Sequence, residues 1–246
     1  MKEAITKNSL LLAAFALFVA AGLAATEINT RAAREASLRA VKSKALEAIV
    51  PAAEHDNILL DDSIPVNDTE FLKLKNEMTI HIARMNGQIT AFIFPVRATD
   101  GYGGAIDSIV GIRTDGTLAG ARVITHAETP GLGDKIELKK SPWILAFNGK
   151  SLDNLTEKEW AVKKDKGVFD QFTGATITPR AVVSSIHNTL KYFQANKTEL
   201  FEKAKNSQVI HQADANDTNQ QPAHDATRHQ AVNTETTSAP STETQP

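Results

Sequence analysis

Two short segments of the sequence combine hydroxyl, acidic and small residues at a spacing that could support chemistry. The first is the run His-Ala-Glu-Thr-Pro-Gly-Leu-Gly-Asp, which begins at His126. The second is the run Asp-Gln-Phe-Thr-Gly-Ala-Thr-Ile-Thr-Pro-Arg, which begins at Asp170. Small residues in both runs let another group approach the backbone closely, as a bound ligand requires.

The second segment has the composition of an anion-binding turn. Gly174 and Ala175 are small, and a helix is expected to begin a few residues later. The N–H groups at the start of a helix attract anions, phosphate in particular. Three hydroxyls accompany this turn, from Thr173, Thr176 and Thr178. Arg180 adds a positive charge, with the alternative that its side chain points elsewhere. The alternative is a glycine turn that leads into a helix capped by Thr178 and binds no ligand.

The first segment is expected to be a tight turn. Pro130 fixes its own φ, and the glycines on either side of Leu132 permit φ values that other residues avoid. Leu132 would therefore be presented to a partner or ligand. Glu128 and His126 are a candidate acid–base pair. The alternative is that both are exposed residues at the end of a strand.

The elements around these segments predict an α+β domain. Four runs have the composition of strands, with turn-rich sequence between them: residues 79–84, 89–96, 105–112 and 118–125. A helix opens the domain and ends at Pro51, with the apolar stripe Leu38, Val41, Ala45 and Ile49. A second helix closes the domain, with Thr178 as its cap, Pro179 in its first turn and the apolar stripe Val183, Ile186, Leu190 and Phe193. Strands joined by tight turns imply an antiparallel sheet flanked by helices.

The overall composition excludes several kinds of site. The chain has 246 residues, 41% of them hydrophobic, a net charge of −2 and no cysteine. A chain without cysteine has no disulfide, no thiolate zinc site, no cysteine-ligated iron–sulfur cluster and no cysteine nucleophile. The near-neutral charge gives no indication of nucleic-acid binding. The length suits one domain with additional terminal segments.

The distribution of apolar residues divides the chain into three regions. Residues 10–25 carry no polar side chain and follow Lys2 and Lys7, so residues 1–28 are predicted to be an N-terminal membrane anchor. A cleaved signal peptide is the alternative. Residues 29–205 form the predicted domain. Residues 206–246 contain no Phe, Trp, Tyr, Leu or Met and are predicted to be a disordered polar tail.

The second segment, with the residues that follow it up to Val183, resembles the covalent flavinylation motif, Ser/Thr-Gly-Ala-Thr, of FMN-binding domains. The turn from Glu128 to Asp134 is similar to the second signature of that family, and residues 141–152 and 160–170 are similar to its membrane branch. With the anchor, residues 1–205 resemble the G-subunit family of Rnf (or Rsx) ion-translocating electron transport complexes. The related C subunit of the sodium-translocating NADH:quinone reductase shares the motifs and is the alternative.

This resemblance implies a cofactor and a site. In that family the last threonine of the motif, here Thr176, carries FMN through a phosphoester, which would make this protein a phosphoprotein. A separate flavin transferase makes the bond, in agreement with the lack of an evident base beside Thr176. Three groups of residues would form the pocket: Thr173, Gly174 and Ala175 around the attachment point, Thr129, Pro130, Gly131 and Leu132 against the isoalloxazine ring, and Tyr102 as a stacking partner. The alternative for Tyr102 is packing on the sheet.

The implied role is electron relay within a redox-driven ion-translocating complex. The protein would bind and orient the flavin, which does the redox chemistry, so no catalytic residue and no metal site are expected in the chain itself. The implied partners are membrane and iron–sulfur subunits, and the implied location is the inner membrane with the main domain in the periplasm. Two other roles stay open: a free-standing exported flavoprotein, and an exported binding module without redox chemistry.

Overall fold

The computed structural model describes residues 2–218 and contains two long helices and a five-stranded sheet. Helix α1 spans Lys2–Glu47 and helix α2 spans Ile177–Thr218. The strands lie between them in the chain: β1 Ser63–Val66, β2 Met78–Met85, β3 Gln88–Gly101, β4 Gly104–Arg113 and β5 Leu118–Thr125. Three short 3-10 helices separate β5 from α2: Gly133–Ile136, Pro142–Phe147 and Lys163–Asp165.

The sheet is antiparallel throughout, with its strands in chain order. The predicted α+β domain with an antiparallel sheet is confirmed, and each of the four predicted strands lies within an observed one. β2 and β3 are joined by Asn86 and Gly87, both at positive φ, as in a tight hairpin turn. Strand β1 is not predicted because it has only four residues and contains Pro65, which suits an edge strand.

One face of the sheet packs against α2 and forms the main core. The predicted stripe on α2 is buried at all four positions: Val183, Ile186, Leu190 and Phe193. Phe92 and Phe94 of β3 each place a ring centroid 6.1 Å from that of Phe193. This packing fixes the first turns of α2 against the sheet, and with them the residues that precede the helix.

The C-terminal end of α1 and the turn after it cover the opposite face of the sheet. Leu46, Ile49 and Val50 pack there with Ala91 of β3. The predicted stripe on the opening helix holds only in part. Ile49 is buried but follows the end of α1, and Val41 is 65% exposed.

The N-terminal apolar run and the predicted opening helix are both parts of α1. In the described part of the chain, no helix is both long and apolar enough to cross a membrane. The predicted membrane-spanning anchor at residues 1–28 is therefore not found. The run without polar side chains covers only residues 10–25, whereas a span needs about 20 apolar residues. Glu27 and Arg31 follow soon after it.

At the other end, α2 continues to Thr218, so residues 206–218 are helical where the sequence predicts a disordered tail. A segment without aromatic, leucine or methionine side chains can still continue a helix that has already formed, because each added residue adds one hydrogen bond. The rest of the predicted tail, residues 219–246, lies outside the described residues. The domain boundaries at residues 28 and 205 stay predictions.

Candidate cofactor site

The segment that resembles the flavinylation motif forms a turn that ends at the start of α2. Ala175 N–H donates to the Phe172 carbonyl at 3.1 Å, and Gly174 between them has a φ of +81°, a conformation that suits glycine. Thr176 is the residue before the helix, and its carbonyl accepts the N–H of Arg180 at 3.4 Å. The N–H groups of a first helical turn have no acceptor within the helix, so Thr176 lies at the positive end of α2.

Thr178 does not cap α2, which corrects the sequence prediction. It lies within the first helical turn and is fully buried, and its hydroxyl donates a hydrogen bond to Glu128 Oε2. Thr176 occupies the capping position instead. Pro179 is accommodated in the first turn because the missing N–H would have no partner in the helix there.

Arg180 points away from this turn. Its guanidinium donates two hydrogen bonds to the Asp165 carboxylate, at 2.5 and 2.6 Å, and this pairing lowers the pKa of Asp165. Of the two orientations that the sequence leaves open for Arg180, the structure shows the one that points away from the anion site. Hydroxyl groups and the helix end are what this turn offers to an anion.

A buried tryptophan fixes the approach to the turn. The Trp143 indole N–H donates to the Asp170 carbonyl at 2.8 Å, and its ring packs edge-on against Phe172 with the ring centroids 5.1 Å apart. Trp143 belongs to the 3-10 helix Pro142–Phe147, which is capped by the Ser141 hydroxyl. Residues 141–147 therefore position the backbone that leads to Thr176.

The second motif forms a turn around the carbonyl of Thr129. That oxygen accepts the N–H of Leu132 at 3.2 Å and the N–H of Gly133 at 3.0 Å. Gly131 has a φ of +78°, as the sequence predicts. Leu132 is 42% exposed and faces the other motif, since a Cβ added at Gly174 would lie 3.5 Å from Leu132 Cδ2. The turn thus presents Leu132 to the space in front of α2.

The side chain of Glu128 joins the two motifs. It is buried, with the residue only 4% exposed, and its Oε1 accepts the N–H of Gly103 at 2.9 Å while its Oε2 accepts the Thr178 hydroxyl. A Cβ at Gly133 would lie 2.8 Å from Glu128 Oε2 and 2.9 Å from the Thr178 hydroxyl oxygen. Gly133 is therefore required for space and not for a positive φ, which corrects the expectation for this glycine.

His126 and Glu128 do not form an acid–base pair. His126 Nδ1 accepts the backbone N–H of Glu128 at 3.0 Å, so the ring proton is assigned to Nε2, which donates to Glu137 Oε1 at 2.8 Å. The alternative also fails, because Glu128 is buried and His126 is half-buried. The imidazole supports the backbone of Glu128 and has no contact with its carboxylate among the described hydrogen bonds.

A cavity of about 520 Å³ lies where the two motifs meet the turn between β3 and β4. Six of the predicted site residues line it: Tyr102, Thr129, Leu132, Gly174, Ala175 and Thr176. Three others lie in the same turns but outside its lining: Thr173, Pro130 and Gly131. Tyr102 is 70% exposed, so the alternative that it packs on the sheet is wrong.

The remaining lining residues are ones that the sequence does not predict as cofactor contacts: Glu128, Gly133, Ile177 and Thr178. The glycines at 101–104 and at 131–133 are a signal that a side chain must fit tightly between two turns. No pattern in the sequence pairs Glu128 with Thr178, because 50 residues separate them.

Comparison with known proteins agrees with this geometry. Residues 101–191 match the family described as FMN-binding domain. The G subunit of the ion-translocating oxidoreductase complex of Pseudomonas aeruginosa (strain UCBPP-PA14) is 44% identical over 199 residues, which cover 81% of this chain and 93% of that one. The chain belongs to this G-subunit family. Its relative from Pseudoalteromonas atlantica is 43% identical over 82% of this chain and 94% of that one. The relative from Shewanella loihica is 43% identical over 85% and 99%.

The resemblance to the G-subunit family that the sequence suggests is thus confirmed, and the C-subunit alternative is a related family. A solved structure, the C subunit of the Na⁺-translocating NADH-quinone reductase from Parabacteroides distasonis, is 25% identical, with a TM-score of 0.38 and coverage of 48% of this chain and 61% of that one. Membership of the G-subunit family rests on the relatives named above and not on this partial likeness.

The lining residues of the cavity fit FMN. Its volume lies within the range of about 300 to 1,000 Å³ that is usual for small-molecule and cofactor sites. Among its lining residues, Thr176 offers a hydroxyl beside the start of α2, where a phosphate is favoured. Tyr102 and Leu132 offer apolar surface to a flat aromatic ring. None of the described residues that line the cavity is a lysine or arginine, so backbone N–H groups and hydroxyls are the available phosphate donors.

Proposed function

We propose that this G-subunit relative binds FMN in the cavity, carries it as a phosphoester of Thr176, and relays electrons within an ion-translocating oxidoreductase complex. One observation carries the proposal: Thr176, at the positive end of α2, lines a cofactor-sized cavity that both motifs form together. Neither motif alone would support it, because a glycine turn before a helix is common.

The residues of the chain would hold the flavin by its two ends. The Thr176 oxygen and the first turn of α2 bind the phosphate, whose negative charge the helix end favours. Tyr102 and Leu132 lie against the ring system, and their exposure leaves an edge of the cavity open to a redox partner. The bound FMN supplies the electron-transfer chemistry, while the chain orients it.

Attachment of the flavin requires a separate enzyme. The Thr176 Oγ–phosphorus bond forms while the hydroxyl proton and the leaving group of an activated flavin nucleotide depart. Glu128 is the only carboxylate among the described lining residues, and both of its oxygens already accept hydrogen bonds from Gly103 and Thr178. With no free base beside it, Thr176 is a modification site and not a nucleophile that activates itself. Thr176 is half-buried, so part of the residue is open to a flavin transferase.

The partners follow from what the chain lacks. It contains no cysteine, so any iron–sulfur cluster in the electron path belongs to other subunits.

Large apolar side chains between residues 10 and 23 of α1 are exposed, among them Leu11, Phe15 and Phe18. Surfaces of this kind associate with membranes or with membrane subunits, so we place the protein at the inner membrane. Location of the domain on the periplasmic side stays a prediction.

Covalent attachment is tested by producing the full chain in a host with a flavin transferase, then denaturing it and separating it on a gel. The wild-type band should carry flavin fluorescence, and Thr176→Ala should carry none. Thr173→Ala is the matched control, because Thr173 belongs to the same motif but lies outside the cavity lining. A dark wild-type band, or a fluorescent Thr176→Ala band, would contradict the proposal. Purification without any membrane or iron–sulfur subunit would instead favour a free-standing flavoprotein.

A further inference from the structure

Glu128 is a buried acidic residue in the cavity wall that the proposed attachment chemistry does not use. Its carboxylate is held from two sides, by the backbone N–H of Gly103 at 2.9 Å and by the hydroxyl of Thr178. Both of its oxygens accept hydrogen bonds, which is the pattern of an ionised carboxylate. Burial of a charged group is unfavourable. The presence of a buried carboxylate in the wall of a cofactor cavity therefore suggests that it has a function there.

The surrounding backbone is built to admit this carboxylate. A Cβ at Gly101 would lie 2.7 Å from Glu128 Oε1, and a Cβ at Gly133 would lie 2.8 Å from Oε2. A Cβ at Gly103 would lie 2.0 Å from the Ala127 carbonyl oxygen, so Gly103 leaves room for the backbone beside Glu128. Two glycines from different segments of the chain, Gly101 and Gly133, therefore leave room for the Glu128 side chain itself.

We infer that Glu128 is a positioning residue for the flavin, which also lowers the reduction potential of the flavin through its negative charge. This inference rests on the proposed function. The positioning follows from where the two bonds lie. Gly103 follows Tyr102 directly, and Thr178 lies two residues after Thr176. The carboxylate thus fixes the stacking tyrosine relative to the attachment threonine.

The effect on the potential follows from charge. Reduction of a flavin by two electrons with uptake of one proton adds one negative charge to it. A carboxylate in the wall of the cavity repels that added charge, and it does so more strongly in a buried site than in water. No lysine or arginine among the described lining residues offsets Glu128. Its presence therefore disfavours the reduced flavin and makes the potential more negative.

The test compares three flavin-loaded proteins, with the FMN content of each checked by mass: wild type, Glu128→Gln and Asp100→Asn. Glutamine keeps the shape and one acceptor but removes the charge. Asp100→Asn removes an exposed charge two residues before Tyr102, where water screens it. Spectroelectrochemical titration should give a more positive midpoint potential for Glu128→Gln and an unchanged one for Asp100→Asn. Equal potentials for Glu128→Gln and wild type would overturn the inference about charge.

A second pair of variants tests the positioning role and decides the matter if Glu128→Gln does not fold. Thr178→Val removes the hydroxyl that holds Oε2, and Thr178→Ser restores it. In the loaded proteins, the visible circular dichroism of the flavin should change in Thr178→Val and return towards the wild-type spectrum in Thr178→Ser. Identical spectra in all three would overturn the positioning role. Wild-type protein that carries no FMN would overturn the proposed function first, and this inference with it.

Discussion

The hydroxyl of Thr178 donates a hydrogen bond to Glu128 Oε2 and so joins two motifs that lie 50 residues apart in the sequence. Both residues are buried, and both line the cavity. Through this bond, the turn that presents Leu132 and the helix end that follows Thr176 are held as one unit. Residues of both motifs line the cavity.

Gly133→Ala should disrupt this unit. The added methyl group would overlap Glu128 Oε2 and the Thr178 hydroxyl, at 2.8 and 2.9 Å. We expect a loss of about 1–3 kcal/mol in the free energy of unfolding, together with poor FMN loading. Urea unfolding and the flavin content of the purified protein measure the two effects.

Gly116→Ala is the matched control. Gly116 has a φ of +90° in the hairpin between β4 and β5, and a Cβ there meets no atom within 4 Å. It should lower the stability by about 1 kcal/mol through backbone strain alone, with normal FMN loading. Equal FMN content in the Gly133→Ala and Gly116→Ala proteins would contradict this prediction. It would show that FMN binding does not require the space that Gly133 leaves for Glu128.

Trp143→Phe should destabilise the segment that leads to Thr176. The variant keeps an aromatic ring beside Phe172 but loses the indole N–H that donates to the Asp170 carbonyl at 2.8 Å. Trp160→Phe is a matched comparison, because the Trp160 indole N–H is buried and has no acceptor among the described residues. Trp143→Phe should therefore cost about 1 kcal/mol more than Trp160→Phe in the free energy of unfolding, measured in urea. An equal decrease in the free energy of unfolding for the two variants would mean that the hydrogen bond to Asp170 contributes nothing to stability.

The stability of the domain should fall as the pH is lowered through the range in which histidine titrates. Burial lowers the pKa of His187, the nearby Lys191 lowers it further, and Glu157 opposes them. The unfolded chain, with an ordinary histidine pKa of about 6.5, then binds more protons than the folded one from that pH downward. The free energy of unfolding therefore decreases as the pH falls below about 6.5. Burial also lowers the pKa of His81, which acts in the same direction.

His187→Phe separates this effect from general acid sensitivity. The His187 ring is stacked on Trp160, with the centroids 5.0 Å apart and the planes 3° from parallel, so phenylalanine can keep the contact without taking up a proton. Between about pH 7.5 and pH 5, the Tm of His187→Phe should fall less than that of the wild type. Parallel Tm curves for the two proteins would show that His187 does not carry the pH dependence.

The elements set by local sequence are predictable. Strand runs of residues 79–125 and the apolar stripe of α2 follow from periodicity, and Gly131 and Gly174 adopt the positive φ values that their turns require. The start of α2 differs only slightly from its predicted position, since Ile177 is the first helical residue whereas the sequence predicts a cap at Thr178. That small shift moves the capping position to Thr176 and frees the Thr178 side chain for a tertiary contact.

The contacts that assemble the site are not predictable from local patterns. The sequence suggests that Glu128 pairs with its near neighbour His126, whereas its carboxylate bonds to Gly103 and Thr178 across the fold. The position of Arg180 suggests a cation near the anion, but its guanidinium pairs with Asp165 instead. In each case, the choice among possible partners depends on how the sheet and α2 pack, and no residue pattern within either segment contains that information.

The position of the flavin is the measurement that tests the central claim most directly. Trypsin should release residues 167–180 as one peptide, which contains Thr173, Thr176 and Thr178. In protein matured with a flavin transferase, we predict that this peptide is heavier by the mass of FMN minus water, and that fragment ions place the added mass on Thr176. An unmodified peptide, or an added mass on Thr173 or Thr178, would contradict the account.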